Sequence, residues 1–144
     1  MTREEMAVES FDNGYNCAQS VFSSFSEDFG LDKTVALRIA NGFGGGVRCG
    51  EVCGAVSGAV MAIGLKCGFF IEKDFDQKAF CNDKSSEFIE KFREANGSMI
   101  CRDILGIDIR KQDDFTTPEA REVFTAKCPG IVASAVRILE GMDF

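Results

Sequence analysis

One of the two longest runs of uncharged residues in the chain covers residues 52–65 and is fourteen residues long. A helix that crosses a bilayer needs about 20 apolar residues, so this run is too short to span a membrane. We expect it to form a buried helix at about residues 50–66, around which the rest of the chain packs. The small residues Gly54, Gly58 and Ala62 recur at every fourth position and therefore lie on one face of that helix.

The segments on either side carry the periodicity of amphipathic helices. Apolar residues within residues 15–29 follow i, i+3, i+4, i+7 spacing, and those within residues 74–94 also share a face. Proline favours the first helical position, so we expect Pro129 to open the last helix. No segment shows the alternation of a strand. The sequence therefore predicts an all-α fold, a single-domain bundle of six to eight helices over residues 1–144.

The charge balance excludes some classes of partner. With 23 acidic and 16 basic side chains, the net charge is −7, and the lysines and arginines form no cluster. Nucleic-acid binding depends on basic surfaces, so this composition argues against a DNA or RNA partner. The first twelve residues carry acidic side chains and lack the apolar stretch of a signal peptide. We therefore expect a cytoplasmic protein with no membrane insertion, kept in solution by its acidic surface.

Seven cysteines and no histidine are the most informative part of the composition. In a reducing compartment, a high cysteine count indicates catalytic thiols or metal ligands more than structural disulfides. The absence of histidine excludes mixed Cys/His zinc sites, Cys–His nucleophilic pairs and acid–base catalysis by imidazole. Thiolates must therefore carry any chemistry, with carboxylates as the remaining candidate metal ligands.

Four cysteines lie where helices are expected to begin: Cys17, Cys53, Cys101 and Cys128. Cys128 directly precedes Pro129, which places it near the expected N-cap of the last helix. A helix N-terminus presents free N–H groups and partial positive charge, which lower the pKa of a thiol and stabilise its thiolate. Cys67 and Cys81 lie at no expected helix start, so we expect them to be ordinary buried core residues.

Cys49 and Cys53 are separated by three residues. If both are helical, they lie one turn apart on one face and form a redox pair or two metal ligands. Gly54 and Gly58 admit two interpretations. They allow close packing between helices, or their missing side chains leave room beside Cys53 for a cofactor, a partner thiol or a substrate. Arg48 either stabilises a neighbouring thiolate or is solvated at the surface.

The arrangement resembles the C_GCAxxG_C_C family of redox-active proteins, over about residues 5–140. The matching stretches are Asn16-Cys17-Ala18-Gln19, Gly42-Phe43-Gly44-Gly45-Gly46, Cys53-Gly54-Ala55-Val56-Ser57-Gly58, Cys101-Arg102 and Cys128. The resemblance implies a bacterial redox-active protein whose four characteristic cysteines are Cys17, Cys53, Cys101 and Cys128. It also implies an association with a transporter or an oxidoreductase, and a bound iron–sulfur cluster has been suspected in such proteins.

Three functions remain open from the sequence. The first is thiol–disulfide exchange or electron transfer, as in a thiol oxidoreductase, with Cys53 as the attacking thiolate and another cysteine as its resolving partner. The candidate resolving cysteines are Cys17, Cys49, Cys101 and Cys128. The second is a metal-binding protein in which zinc or an iron–sulfur cluster is held by four thiolates. Those ligands would be Cys17, Cys53, Cys101 and Cys128.

The third function is a non-catalytic helical interaction module whose cysteines belong to the core. The partner is accordingly a redox partner protein, a small thiol or a metal ion. We expect Cys17, Cys53 and one of Cys101 or Cys128 to converge in space, because the first two functions both need the sulfurs close together.

Overall fold

The computed structural model describes residues 1–107 and 117–144. Within these ranges the chain forms seven α-helices and no strand, apart from one isolated antiparallel bridge between Val52 and Ile100. The helices are α1 (Arg3–Asp12), α2 (Cys17–Ser26), α3 (Lys33–Ala40), α4 (Gly54–Cys67), α5 (Phe75–Asn96), α6 (Cys101–Leu105) and α7 (Pro118–Glu140). The all-α prediction is confirmed, and the helix count falls in the expected range.

Local side-chain caps fix where several helices begin. Asn16 accepts a hydrogen bond from the Gln19 amide, and the Gln19 side chain accepts one from the Asn16 amide. This reciprocal pair satisfies two N–H groups that would otherwise lack a partner, and it starts α2 at Cys17. Thr117 caps α7 in a simpler way, by accepting a hydrogen bond from the Ala120 amide.

Helices α2 and α4 form the centre of the bundle, with α5 and α7 packed against α4 and α1 packed against α7. Gly58 permits the close contact between α2 and α4, because a Cβ atom at this position would lie 2.6 Å from the carbonyl oxygen of Ala18. The largest fully buried apolar side chains come from four helices and form one core: Val21, Val56, Ile63, Phe88, Phe92, Val132, Val136 and Leu139. Close packing in the core therefore accounts for Gly58.

Two helix boundaries differ from the prediction. The central helix begins at Gly54, not at about residue 50, because the preceding segment contains residues with positive φ angles that no α-helix contains. These residues are Gly46, Val47, Arg48 and Gly50. The last helix does not begin at Pro129. It starts at Pro118 and runs on through Pro129 to Glu140, since Thr117 and Pro118 already supply a cap and a favourable first residue.

Hydropathy shows no membrane span in the described part of the chain. None of its helices combines the length and the apolar character that crossing a bilayer requires.

Candidate functional site: a cavity lined by four cysteines

Cys17, Cys53, Cys101 and Cys128 all line one cavity of about 740 Å³. Cys53, Cys101 and Cys128 are buried and Cys17 is half-buried, so the thiols form the inner wall. We had expected at least three of these residues to converge, and the structure brings all four together. A cavity of this size accommodates a small molecule.

Helix α2 and helix α4 present two of the thiols at their N-terminal ends. Cys17 is the first residue of α2, and Cys53 is the N-cap residue of α4. Gly54 lies directly against Cys17, since a Cβ atom on Gly54 would stand 3.2 Å from that of Cys17. The small residue at position 54 thus brings the start of α4 up to the start of α2.

A pair of backbone hydrogen bonds holds Cys53 and Cys101 in register. The Cys53 amide donates to the carbonyl of Met99 at 2.8 Å, and the Cys101 amide donates to the carbonyl of Glu51 at 2.6 Å. Arg102 reinforces this connection through an ion pair with Glu51 at 2.8 Å. Two segments that are about 50 residues apart in sequence are therefore fixed side by side.

The glycine-rich loop before α4 closes one side of the cavity through Gly44 and Gly45. Four consecutive residues, Gly45 to Arg48, have φ angles between 57° and 64°. At Gly46 a side chain is excluded, because a Cβ atom would lie 2.4 Å from the Glu51 nitrogen and 2.8 Å from the Cβ atom of Cys101. This glycine lets the loop fold tightly over Cys101.

Cys128 does not lie at a helix N-terminus, contrary to the prediction. It is an interior residue of α7, because that helix continues through Pro129. Its side chain faces the cavity together with Arg121, Phe124, Thr125 and Ile131. The N-terminal positions expected for Cys17, Cys53 and Cys101 are confirmed.

Cys17 and Cys128 interact directly, and their pKa values move in opposite directions. A hydrogen bond between the two side chains raises the pKa of Cys17 well above its ordinary value, and burial raises it further. The same hydrogen bond lowers the pKa of Cys128, against the opposing effect of burial. These directions favour the thiolate at Cys128 over the thiolate at Cys17.

At Cys53 and Cys101, burial has the largest effect on the pKa of the thiol. It raises the pKa of Cys53 to about 11, although the amide N–H groups of Ala55 and Val56 face the sulfur and favour its thiolate. Burial likewise raises the pKa of Cys101 to about 12. The low thiol pKa that we expected for Cys53 from its helix N-terminus is therefore not found, because desolvation outweighs the N–H groups.

Cys49 and Gly58 lie outside the wall of the cavity. Cys49 belongs to the non-helical loop, is exposed, and donates a hydrogen bond to the carbonyl of Gly46 at 3.4 Å. No helix contains both Cys49 and Cys53. The prediction that they lie one turn apart on one helical face is therefore wrong. Gly58 faces the backbone of Ala18, whereas Gly54 does line the cavity.

Helix α7 contributes more residues to the site than the sequence predicts. Arg121, Phe124 and Thr125 precede Cys128 by seven, four and three residues, the spacing of a single helical face. This periodicity was visible in the sequence. Because the sequence predicts that Pro129 opens a new helix, it does not place these residues and Cys128 on one face of the same helix.

The thiol arrangement does not fit a metal ion. In residues 1–107 and 117–144, no three Cys, Asp or Glu side chains are grouped in a way that would hold one ion. A structural zinc site or a cluster needs such a grouping, usually with four thiolates. The sulfurs share a cavity, and the contact between Cys17 and Cys128 is that of two interacting thiols.

No curated protein and no solved structure matches the chain. One protein-family model matches residues 15–142, a range that contains all four cysteines of the cavity. The family is described as "Putative redox-active protein (C_GCAxxG_C_C)". The match covers far more than half of the chain, and the protein therefore belongs to the C_GCAxxG_C_C family.

Proposed function

We propose that the protein is a thiol–disulfide oxidoreductase in which Cys128 is the attacking thiolate and Cys17 the resolving thiol. The observation that carries this proposal is that Cys17 and Cys128 line one cavity and interact there through their side chains, which lowers the pKa of Cys128 and raises that of Cys17. Exchange needs one thiol that deprotonates readily and a second one within reach. This assignment replaces Cys53 as the attacking residue, since burial raises the pKa of the Cys53 thiol.

The reaction proceeds in two exchange steps. The Cys128 thiolate attacks one sulfur of a disulfide substrate, forms a mixed disulfide and expels one substrate thiolate. Cys17 then gives up its proton to that leaving group and attacks the Cys128 sulfur, which expels the second substrate thiolate. The substrate disulfide is reduced to two thiols, and the two protein thiols are oxidised to one disulfide.

A small disulfide with carboxylate groups fits this cavity. Apolar residues such as Phe11, Ile104 and Phe124 form much of its lining, and among the described residues the charged side chains that line it are Arg48 and Arg121. Both are cations in a chain whose net charge is −7. Glutathione disulfide is a suitable test substrate, because it combines a reducible bond with several carboxylates.

Peptide mapping of the oxidised protein tests the proposal. The fully reduced chain is incubated with glutathione disulfide, free thiols are alkylated, and the tryptic peptides are identified by mass spectrometry. We expect residues 4–33 and 128–137 to be recovered as one disulfide-linked species. Cys128→Ser should abolish this species, whereas Cys49→Ser, at the exposed cysteine outside the cavity, should leave it intact.

Two results would overturn the proposal. One is the absence of any reversible link involving Cys17 or Cys128. The other is that the anaerobically purified protein carries about one tightly bound metal ion or cluster per chain and that the four cavity thiols resist alkylation until it is removed. The latter result would assign these thiols to a metal centre.

A further inference from the structure

Two cysteines outside the cavity also lie next to each other. Cys67 is the last residue of α4, and Cys81 lies in the second turn of α5. Both belong to the main hydrophobic core, where they remain 8% and 9% exposed. The Gln77 side chain, one helical turn before Cys81, donates to the carbonyl of Cys67, and the two thiols interact. Neither cysteine lines the cavity of the four thiols.

The connection between α4 and α5 holds the two thiols in this position. The side-chain amide of Gln77 donates to the carbonyl of Cys67 at 2.6 Å, and Gln77 lies one helical turn before Cys81. Asp74 caps the same turn by accepting from the Gln77 amide at 3.2 Å. The thiol of Cys67 donates to the carbonyl of Ile63 at 3.2 Å. Each cysteine is thus placed by backbone that is itself anchored, where α4 packs against α5.

We propose that Cys67 and Cys81 form a second redox site, a dithiol that is converted to an intramolecular disulfide by small disulfides such as glutathione disulfide. One thiolate of the pair attacks the glutathione disulfide, forms a mixed disulfide and releases one glutathione. The other cysteine then attacks the protein sulfur of that mixed disulfide and releases the second glutathione. Two protein thiols are oxidised, and one glutathione disulfide is reduced to two molecules of glutathione.

The surroundings of the pair set the rate of this reaction. Burial raises the pKa of Cys67 to about 11, and its contact with Cys81 adds to this effect. Cys67 therefore carries little thiolate at neutral pH, so attack by this residue is slow there and faster at pH 8–9.

The disulfide would close a ring over residues 67–81. This segment carries strongly exposed apolar side chains, including Phe70 at 91% and Phe75 at 68% exposure. A cross-link across about 15 residues restricts the unfolded chain, and we expect it to raise the Tm by about 5–10 °C. The oxidised protein should return to its original Tm on treatment with dithiothreitol.

Mass spectrometry of the full chain tests the site directly. After incubation with glutathione disulfide at pH 8.5 and alkylation of the remaining thiols, trypsin cuts after Lys66, Lys73, Lys78 and Lys84. We expect residues 67–73 and 79–84 to be recovered as one linked species, which dithiothreitol separates. The same link should form in Cys128→Ser, because the two redox sites are independent.

The variants give the matched comparison. In the Cys128→Ser background, which lacks the first redox site, adding Cys81→Ser should remove both the link and the oxidant-dependent rise in Tm, whereas adding Cys49→Ser should keep both. The proposal is overturned if residues 67–73 and 79–84 are recovered separately, either alkylated or each carrying glutathione, after oxidation has gone to completion elsewhere. Since this readout uses the wild-type chain, it does not depend on the folding of any variant.

Discussion

Cys17 and Cys128 lie more than a hundred residues apart in sequence, and their side chains interact at the wall of one cavity. The contact joins the first residue of α2 to an interior position of α7. This interaction makes the two thiols unequal, because it favours the thiolate at Cys128 and opposes it at Cys17. An asymmetric pair of this kind is what disulfide exchange requires of an attacking and a resolving thiol.

Replacement of Cys17 should weaken Cys128 as a nucleophile. Cys17→Ala removes the thiol whose interaction lowers the pKa of Cys128. We therefore expect this pKa to rise and the alkylation of Cys128 by iodoacetamide at pH 7 to slow by about 3–10-fold. The rate is measured for the Cys128 peptide over pH 6–10, because the pKa is read from the midpoint of this profile. The profile of the variant should move to higher pH.

Cys17→Ser provides the matched control. The serine hydroxyl still donates a hydrogen bond but cannot form a disulfide. We expect this variant to keep the alkylation profile of the wild type while losing the Cys17–Cys128 link. Equal profiles for Cys17→Ala and the wild type would show that Cys17 does not activate Cys128.

The buried thiols should make the fold sensitive to alkali. The pKa of Cys53 is raised from 9.0 to about 11 in the folded protein, so the stability that it contributes is complete below pH 9 and is lost as the pH approaches 11. This rise corresponds to about 3 kcal/mol of unfolding free energy. Between pH 8.5 and pH 11, the wild type should therefore lose about 2 kcal/mol more unfolding free energy than Cys53→Ala in urea denaturation, since the remainder is lost above pH 11.

A second variant separates titration from packing in this experiment. Val56→Ala removes buried apolar atoms from the same helix but no ionisable group. It should lower the unfolding free energy by a similar amount at every pH. A pH dependence in Cys53→Ala that parallels that of Val56→Ala would mean that the Cys53 thiol does not oppose ionisation in the folded state.

Replacement of two glycines in α4 by alanine should change the unfolding free energy in opposite directions. At Gly58 a Cβ atom would meet the carbonyl oxygen of Ala18, whereas at Gly64 it would meet nothing within 4 Å. Gly58→Ala should thus lower the unfolding free energy by about 2–3 kcal/mol and move α4 away from α2. Gly64→Ala should raise it by about 0.5–1 kcal/mol, since alanine restricts the unfolded chain and favours helix. Urea denaturation measures both, and a loss of stability at Gly64 equal to that at Gly58 would contradict the packing argument.

Much of the fold follows from short-range patterns in the sequence. The start of α2 is encoded by Asn16 and Gln19, a capping pair only three residues apart, and the burial of residues 52–65 follows from their lack of charge. Cys17 and Cys53 could therefore be placed at helix starts. The pKa of Cys53 could not be derived in this way, because desolvation depends on which helices cover the sulfur.

Local sequence patterns do not determine the path of the loop before α4 or the course of α7. The loop places Val47 and Arg48 in left-handed conformations, which non-glycine residues adopt rarely, so its path depends on the contacts that it makes. The helical path of α7 through Pro129 likewise depends on tertiary packing, since proline removes a backbone donor. The Cys17–Cys128 contact is a consequence of both helices being placed by the core.

Pro129→Ala tests which feature activates Cys128. Alanine restores the amide that can donate to the carbonyl of Thr125 within α7, and we expect the unfolding free energy to rise by about 1–3 kcal/mol. If Cys17 sets the pKa of Cys128, the alkylation rate of Cys128 at pH 7 should stay within about twofold of the wild type. If instead a break in the helix at Pro129 supplied an N-terminal charge to the thiol, the restored helix would slow that alkylation by about tenfold. Measuring the rate and the unfolding free energy on the same preparation distinguishes the two causes, because only the second predicts that the more stable protein is the less reactive one.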